Sequence, residues 1–330
     1  MPVHAFIFPG QGSQAVGMGR DLAAAFPAAR EAFQEVDETL RQNLSRLMFE
    51  GPSETLILTE NTQPALMVHS LAVLRVLERE GGIVLKQKSA VVAGHSLGEY
   101  TALAAAGAFA LGDAARLLKL RGQAMQKAVP AGQGAMAALL GADLEQASRL
   151  CEAAAPVPDS EPPDSQPDSQ PESQVIQPAN DNGAGQVVVS GHREAVERAV
   201  ALAPGMGIRR AMLLPVSAPF HCALMAPAAD AMAEALEKTP PGVPVVPLIA
   251  NVSAAKETDP VRIRELLVRQ VTATVRWREC VQAMAALGVD SFVELGSGKV
   301  LSGLVRRIVP DAATASAGTP ADVEALLKVL

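Results

Sequence analysis

Aromatic residues, cysteine, positive charge and long apolar runs are all scarce in this chain, and each scarcity removes a class of function. Eight Phe, one Trp and one Tyr make up 3% of 330 residues, too few for the stacking platforms on which single-stranded nucleic acids lie. Three cysteines, Cys151, Cys222 and Cys280, form an odd set without metal-ligand spacing. That usage fits a reducing compartment rather than a disulfide scaffold, so a cytoplasmic location is expected. No uninterrupted apolar run reaches the roughly 18 residues that a membrane span needs, and the opening Met1–Phe8 lacks the basic flank and the length of a signal peptide. Neither export nor a membrane partner is expected. Lys and Arg number 28 against 35 Asp and Glu, a net charge of −7, which opposes the global basic field of nucleic-acid binding. An anionic partner has to be met by a local patch.

Aliphatic residues are plentiful, with 49% of the chain hydrophobic, and the length suggests two units or one large core with a satellite. The apolar run His4–Phe8 stops at Pro9-Gly10 and reads as a buried strand entering a sharp loop. Apolar residues recur at helical spacing over Arg20–Phe49, with a break near Pro27, and again over Ala65–Glu80, which Gly81-Gly82 terminates. Ser89–Ala93 reads as a strand, followed by Gly94–Tyr100 and an alanine-rich helix to Gly107. Strands alternating with helices favour a parallel α/β sheet with its sites at the strands' carboxyl ends. Gly134–Leu140, Gln186–Ser190, the helical Glu194–Leu202 and Arg210–Val216 read as a smaller α+β unit. Between them Pro156–Gln177 repeats a Pro-acidic-Ser-Gln unit three times. It has too little apolar surface to offset the entropy of ordering, so a disordered insertion is expected over 156–177. Pro244–Ile249 and Ser291–Leu295 read as further strands, Val261–Val271 and Trp277–Leu287 as helices, and Thr319-Pro320 opens a closing helix to about Leu330.

Gly94-His95-Ser96-Leu97-Gly98 matches G-x-S-x-G, in which a tight strand-to-helix turn lifts a serine hydroxyl clear of the sheet. Ser96 is the candidate nucleophile, and the Leu97 amide at the helix N-terminus can face a developing oxyanion. A serine needs a base. Among five histidines, His4 in a strand and His69 on an apolar helix stripe read as structural, and no role is evident for His192. His95 adjoins Ser96, but adjacent side chains on a tight turn diverge, which leaves supporting or packing duty. His221, after the apolar run Met212–Val216 and late in chain order, is the expected base. Cys222 beside it should point away and reads as a small buried residue.

The loop Gly10-Gln11-Gly12-Ser13-Gln14-Ala15 contains G-x-G-x-x-A after a strand, the weak form of a dinucleotide fingerprint. A Rossmann unit needs a second strand ending in an acidic residue, and Arg20–Phe49 reads as helical instead. The other reading is that Gly10 and Gly12 free the backbone amides around Gln11 to complete an oxyanion hole with Leu97.

With these loops and the late histidine, the chain resembles the malonyl-CoA:acyl carrier protein transacylases. The resemblance runs through seven blocks in order: Phe8–Gln14, Thr62–Leu66, Gly94–Tyr100, Arg121–Gln126, Asn180–Asn182, Pro215–Met225 and Gly296–Leu301. It implies an α/β-hydrolase-like core with a parallel sheet, formed by 1–129 and 216–330, and an inserted ferredoxin-like subdomain over 130–215. By the resemblance Ser96 carries the acyl group, His221 is base and acid, and the Gln11 and Leu97 amides hold the oxyanion. Arg121, otherwise readable as a solvated helix charge, clamps the malonyl carboxylate through a bidentate pair that lysine cannot reproduce. The Gln270 carbonyl orients His221. Phe220 crowds substituents at the acyl α-carbon, and Gln63, Met125, Asn182 and His95 are further pocket candidates. Malonyl-CoA and acyl carrier protein are the implied partners, with docking through Lys299, Arg306 and Arg307. No resident cofactor or metal is implied, and a monomer is expected. The repeat at 156–177 is longer than the family usually carries there. A serine thioesterase, or an acyltransferase of a polyketide route, would share the same elbow.

Overall fold

The computed structural model describes residues 2–155, 174–216 and 218–330. Its main sheet has the order β10-β9-β1-β2-β7-β8, from β1 (His4–Phe8), β2 (Ser89–Gly94), β7 (Leu248–Ile249), β8 (Lys256–Glu257), β9 (Ser291–Leu295) and β10 (Ala313–Ala317). All pairs are parallel except β7 with β8. β1 is central because Ala5–Phe8 are wholly buried and can face helices on both sides. Phe8 is in register with Gly94, and His95 N–H extends the ladder to the Phe8 carbonyl at 3.0 Å. The loops that follow β1 and β2 therefore leave the sheet side by side.

The second sheet has the order β4-β5-β3-β6, from β3 (Gly134–Leu140), β4 (Ile176–Gly183), β5 (Gln186–His192) and β6 (Arg210–Leu213), with every pair antiparallel. Helices Leu144–Ala154 and Arg193–Leu202 complete a β-α-β-β-α-β unit, the expected ferredoxin-like arrangement. Ala137, Leu139, Leu150, Val189 and Val196 form its own core. The far end of β4 is tied to the main layer. Val275 N–H donates to the Ala179 carbonyl at 2.8 Å, Asp181 N–H to the Val275 carbonyl at 2.9 Å, and Arg278 Nε to Asp181 Oδ2 at 2.8 Å.

Several sequence expectations shift. The break at Pro27 is present, since helices Arg20–Ala25 and Pro27–Leu40 flank Phe26. The helix expected from Ala65 begins at Thr59 and holds Pro64 inside it. The first turn closes through Leu58, whose carbonyl accepts from Asn61 and Thr62, so the proline forfeits only the bond to the Glu60 carbonyl. The repeat segment 156–173 lies outside the described residues. Its expected end at Gln177 is too late, because Ile176 and Gln177 already pair in β4 and Ile176 is 6% exposed. Ile176 opens the strand, and Val175 just before it is tied to His192, whose N–H donates to the Val175 carbonyl at 2.8 Å. β6 stops short of Val216: Leu214 N–H still donates to the Met136 carbonyl, and the chain then turns, with Val216 N–H on the Leu214 carbonyl. β7 is shorter than Pro244–Ile249, because Pro244 and Pro247 have no N–H to donate. β10 escaped the reading, since Ala313–Ala317 is a run of small residues at a sheet edge, and the closing helix ends at Leu326.

Candidate active site

Ser96 sits between β2 and the helix Leu97–Ala105 with φ 54° and ψ −108°, a backbone conformation that costs energy and needs support. Glycines make the turn possible. A Cβ on Gly94 would lie 1.9 Å from the Gly98 carbonyl, and one on Gly98 would lie 2.3 Å from the Phe8 carbonyl. Asn251, just past β7, straps the bend from below: its Oδ1 accepts Ser96 N–H and its Nδ2 donates to the Gly94 carbonyl, both at 2.8 Å.

His221 arrives from the other end of the sequence, 4% exposed and itself left-handed at φ 59°. Its Nε2 is 2.8 Å from Ser96 Oγ, and its Nδ1 is 2.8 Å from the Gln270 carbonyl. A carbonyl only accepts, so Nδ1 carries the hydrogen and Nε2 presents a lone pair to the hydroxyl. Burial, and then the charge of Arg121, hold the imidazole down to about 3, so it stands neutral and ready to accept a proton. Cys222 turns away, donating to the Pro219 carbonyl at 3.2 Å, and burial pushes its thiol up.

Arg121 lies on the helix Leu111–Lys127 and is 1% exposed, whereas Arg116 on the same helix stays out in solvent, paired with Asp113. Its Nη2 donates to Ser96 Oγ at 3.2 Å and to Gln270 Oε1 at 2.8 Å, and its Nη1 to Gln63 Oε1 at 2.9 Å. The Tyr100 ring lies 5.7 Å beneath the guanidinium. A neutral base and a buried cation thus converge on one hydroxyl. This arrangement suits an acyl group that ends in a carboxylate.

Residues 5–321 match the acyl transferase domain family. A malonyl CoA-acyl carrier protein transacylase of Escherichia coli (strain K12) is 47% identical over 317 residues, 96% of each chain. One from Bacillus subtilis (strain 168) is 43% identical over 326 residues, 99% of this chain and 96% of that one. The crystal structure of an acyl-carrier-protein-S-malonyltransferase from Bartonella henselae superposes with a TM-score of 0.91 at 52% identity, covering 99% of both chains. A malonyl-transacylase solved in complex with its type II PKS acyl-carrier protein superposes at 0.90 with 41% identity, over 99% of this chain and 100% of that one. The chain belongs to the malonyl CoA-acyl carrier protein transacylases.

In this transacylase the remaining candidates occupy two shells. Leu97 opens its helix, so its N–H has no intrahelical acceptor. Gln11 follows Gly10, whose close approach leaves only 2.8 Å between a built Cβ and the His95 carbonyl; this brings the Gln11 loop over the elbow. Gln63 Nε2 contacts Met125 Sδ at 3.6 Å, and Phe220 is 8% exposed beside His221. His95 does not reach toward the base. Its Nε2 is 2.9 Å from Asn182 Oδ1 on β4, and its ring lies 5.7 Å from Trp277, so it links the elbow to the smaller sheet. Lys299, Arg306 and Arg307 are exposed and stand apart, with Arg306 Nε donating to Thr314 Oγ1 at 2.7 Å.

Sequence reasoning missed Asn251, Glu99 and the Gln270 side chain. Asn251 follows the strand read over Pro244–Ile249 at its carboxyl end, where α/β sheets place their sites, but no motif marks it. Glu99 lies within the Gly94–Tyr100 motif, where sequence alone assigns it no role. It is 1% exposed.

Proposed function

We propose that this acyltransferase moves the malonyl group from malonyl-CoA to the phosphopantetheine thiol of acyl carrier protein, through an ester on Ser96, for fatty-acid synthesis. His221 Nε2 takes the Ser96 proton as Oγ attacks the thioester carbonyl. The Gln11 and Leu97 amides receive the oxyanion. As the C–S bond breaks, the imidazolium returns the proton to the departing thiolate. The carrier thiol then reverses the sequence at the same ester. Arg121 exchanges its bonds to Gln63 and Gln270 for the two oxygens of the malonyl carboxylate, Met125 and Phe220 bound the acyl pocket, and Phe220 disfavours α-substituents. The steps call on no resident cofactor.

One observation carries this reading: a buried guanidinium and a neutral imidazole both hydrogen-bond Ser96 Oγ. A thioesterase for uncharged acyl chains has no use for that cation. Mass spectrometry after brief exposure to malonyl-CoA tests it. A malonyl adduct is expected on Ser96, absent from Ser96→Ala, while Arg121→Ala shifts labelling toward uncharged acyl groups by tenfold or more, roughly the worth of one bidentate ion pair. Carrier docking through Lys299, Arg306 and Arg307, a monomeric state and a cytoplasmic location belong to the same reading. Three buried free cysteines suit a reducing compartment, and among the described residues no helix is long and apolar enough to cross a membrane.

A further inference from the structure

Beneath the serine and the arginine lies a carboxyl group that the steps above do not use. Glu99 projects inward from the helix Leu97–Ala105. Its Oε2 accepts the Asn251 N–H and the Gln270 Nε2–H, both at 2.9 Å. Gln270 in turn gives its Oε1 to Arg121 and its carbonyl to His221, both at 2.8 Å. One side-chain amide therefore separates the buried acid from the buried cation. Both bonds to Glu99 end on Oε2, so Oε1 can gain or lose a proton without breaking either.

Among the described residues Arg121 has no ion pair, and Glu99 is the carboxyl group linked to it. An acyl carboxylate that lands on Arg121 brings a second anion to the same cation. Burial pushes Glu99 up to about 7, and Glu257 adds to the rise, while the Asn251 amide, the Gln270 amide and the charge of Arg121 oppose it. The Tyr100 phenol and the Cys280 thiol complete the titratable groups facing it.

We propose that Glu99 sets how strongly the site prefers a carboxylate-bearing acyl group. Ionised, it balances Arg121 and opposes the incoming carboxylate; protonated at Oε1, it leaves the guanidinium to the substrate. Malonyl loading then draws a proton onto Glu99, whereas acetyl loading does not. The exchange of a thioester and a hydroxyl for an ester and a thiol consumes no proton itself, so any uptake reports this linkage.

The proposal rests on the reading of Ser96 and Arg121 above. Its test is the ratio of malonyl to acetyl ester formation on Ser96, measured from about pH 6 to about pH 8.5. In the wild type the ratio falls by about tenfold as the carboxyl ionises, the size of a one-unit coupling between two sites. Glu99→Gln keeps an oxygen for both hydrogen bonds and loses the titration, so its ratio stays level at the low-pH wild-type value. A level wild-type ratio, or a Glu99→Gln profile that follows the wild type, overturns the proposal. If Glu99→Gln does not fold, proton uptake by the wild type in weak buffer near neutral pH decides. Uptake with malonyl-CoA and none with acetyl-CoA supports the proposal, and equal uptake defeats it. A wild type that forms no malonyl ester would instead remove the functional reading beneath it.

Discussion

At His221 the group that orients the imidazole is an uncharged carbonyl, that of Gln270, where a serine triad would place a carboxylate. The imidazolium formed during attack therefore has no anion against its Nδ1, and Arg121 adds a positive charge nearby. Burial and then that charge depress proton affinity, and the Gln270 carbonyl offsets them only in part. Protonation that silences the base falls far below the ordinary imidazole range, because the free base persists at every pH above the lowered value. Ser96 acylation by acetyl-CoA should thus keep its rate from about pH 8 down to about pH 5, where an ordinary imidazole would lose most of its free base. Rapid-quench mass spectrometry across that range checks it, and an acid limb near the ordinary imidazole value would show that the ring is less buried than the structure places it.

The strand-turn-helix unit works because two backbones touch where side chains would normally stand. Gly98 lets the helix Leu97–Ala105 press on the end of β1, which sets the Gln11 loop against the elbow. Gly98→Ala has no flexible side chain to push aside, only the Phe8 and Pro9 carbonyls. It should cost at least about 2 kcal/mol in chemical denaturation, as backbone clashes in a core do. It should also slow Ser96 acylation by about a hundredfold through misplacement of the hydroxyl. Gly303, on the helix Val300–Ile308, meets nothing within 4 Å. The same substitution there should be neutral or stabilising by up to about 1 kcal/mol.

Across the whole molecule, the site lies where the two sheets meet. β4 reaches the main layer through Ala179, Asp181 and Val275, and its Asn182 meets His95 beside the elbow. The helix Val300–Ile308 borders the same junction, since Ile308 packs 2.8 Å from where a Cβ on Gly183 would be. Lys299 and Arg307 are exposed at opposite ends of that helix on a net negative protein, where local cations can steer an anionic carrier. Reversing either charge should raise KM for acyl carrier protein by about fivefold and weaken its salt dependence, leaving Ser96 acylation by malonyl-CoA within about twofold. Arg306→Glu should do less, because that guanidinium is already turned to Thr314. Steady-state kinetics with carrier protein as the varied substrate separates these outcomes.

Local pattern was enough for β1, β2 and β9, for the break at Pro27 and for the elbow around Ser96, because each depends on burial periodicity or on glycine within a few residues. The motif blocks also named His221 and Arg121 as partners of that serine, and the family resemblance named the Gln270 carbonyl as the group that orients His221. Position in the chain could not reveal that the Gln270 side chain, Asn251 and Glu99 join them in one buried hydrogen-bonded web, since 171 residues separate Glu99 from Gln270. It could not show that Pro64 lies within a helix, or that Ala313–Ala317 is a strand. Those outcomes were set by packing, for a polar side chain deep in the fold takes its role from whichever distant atoms satisfy it, and sequence neighbours do not supply them.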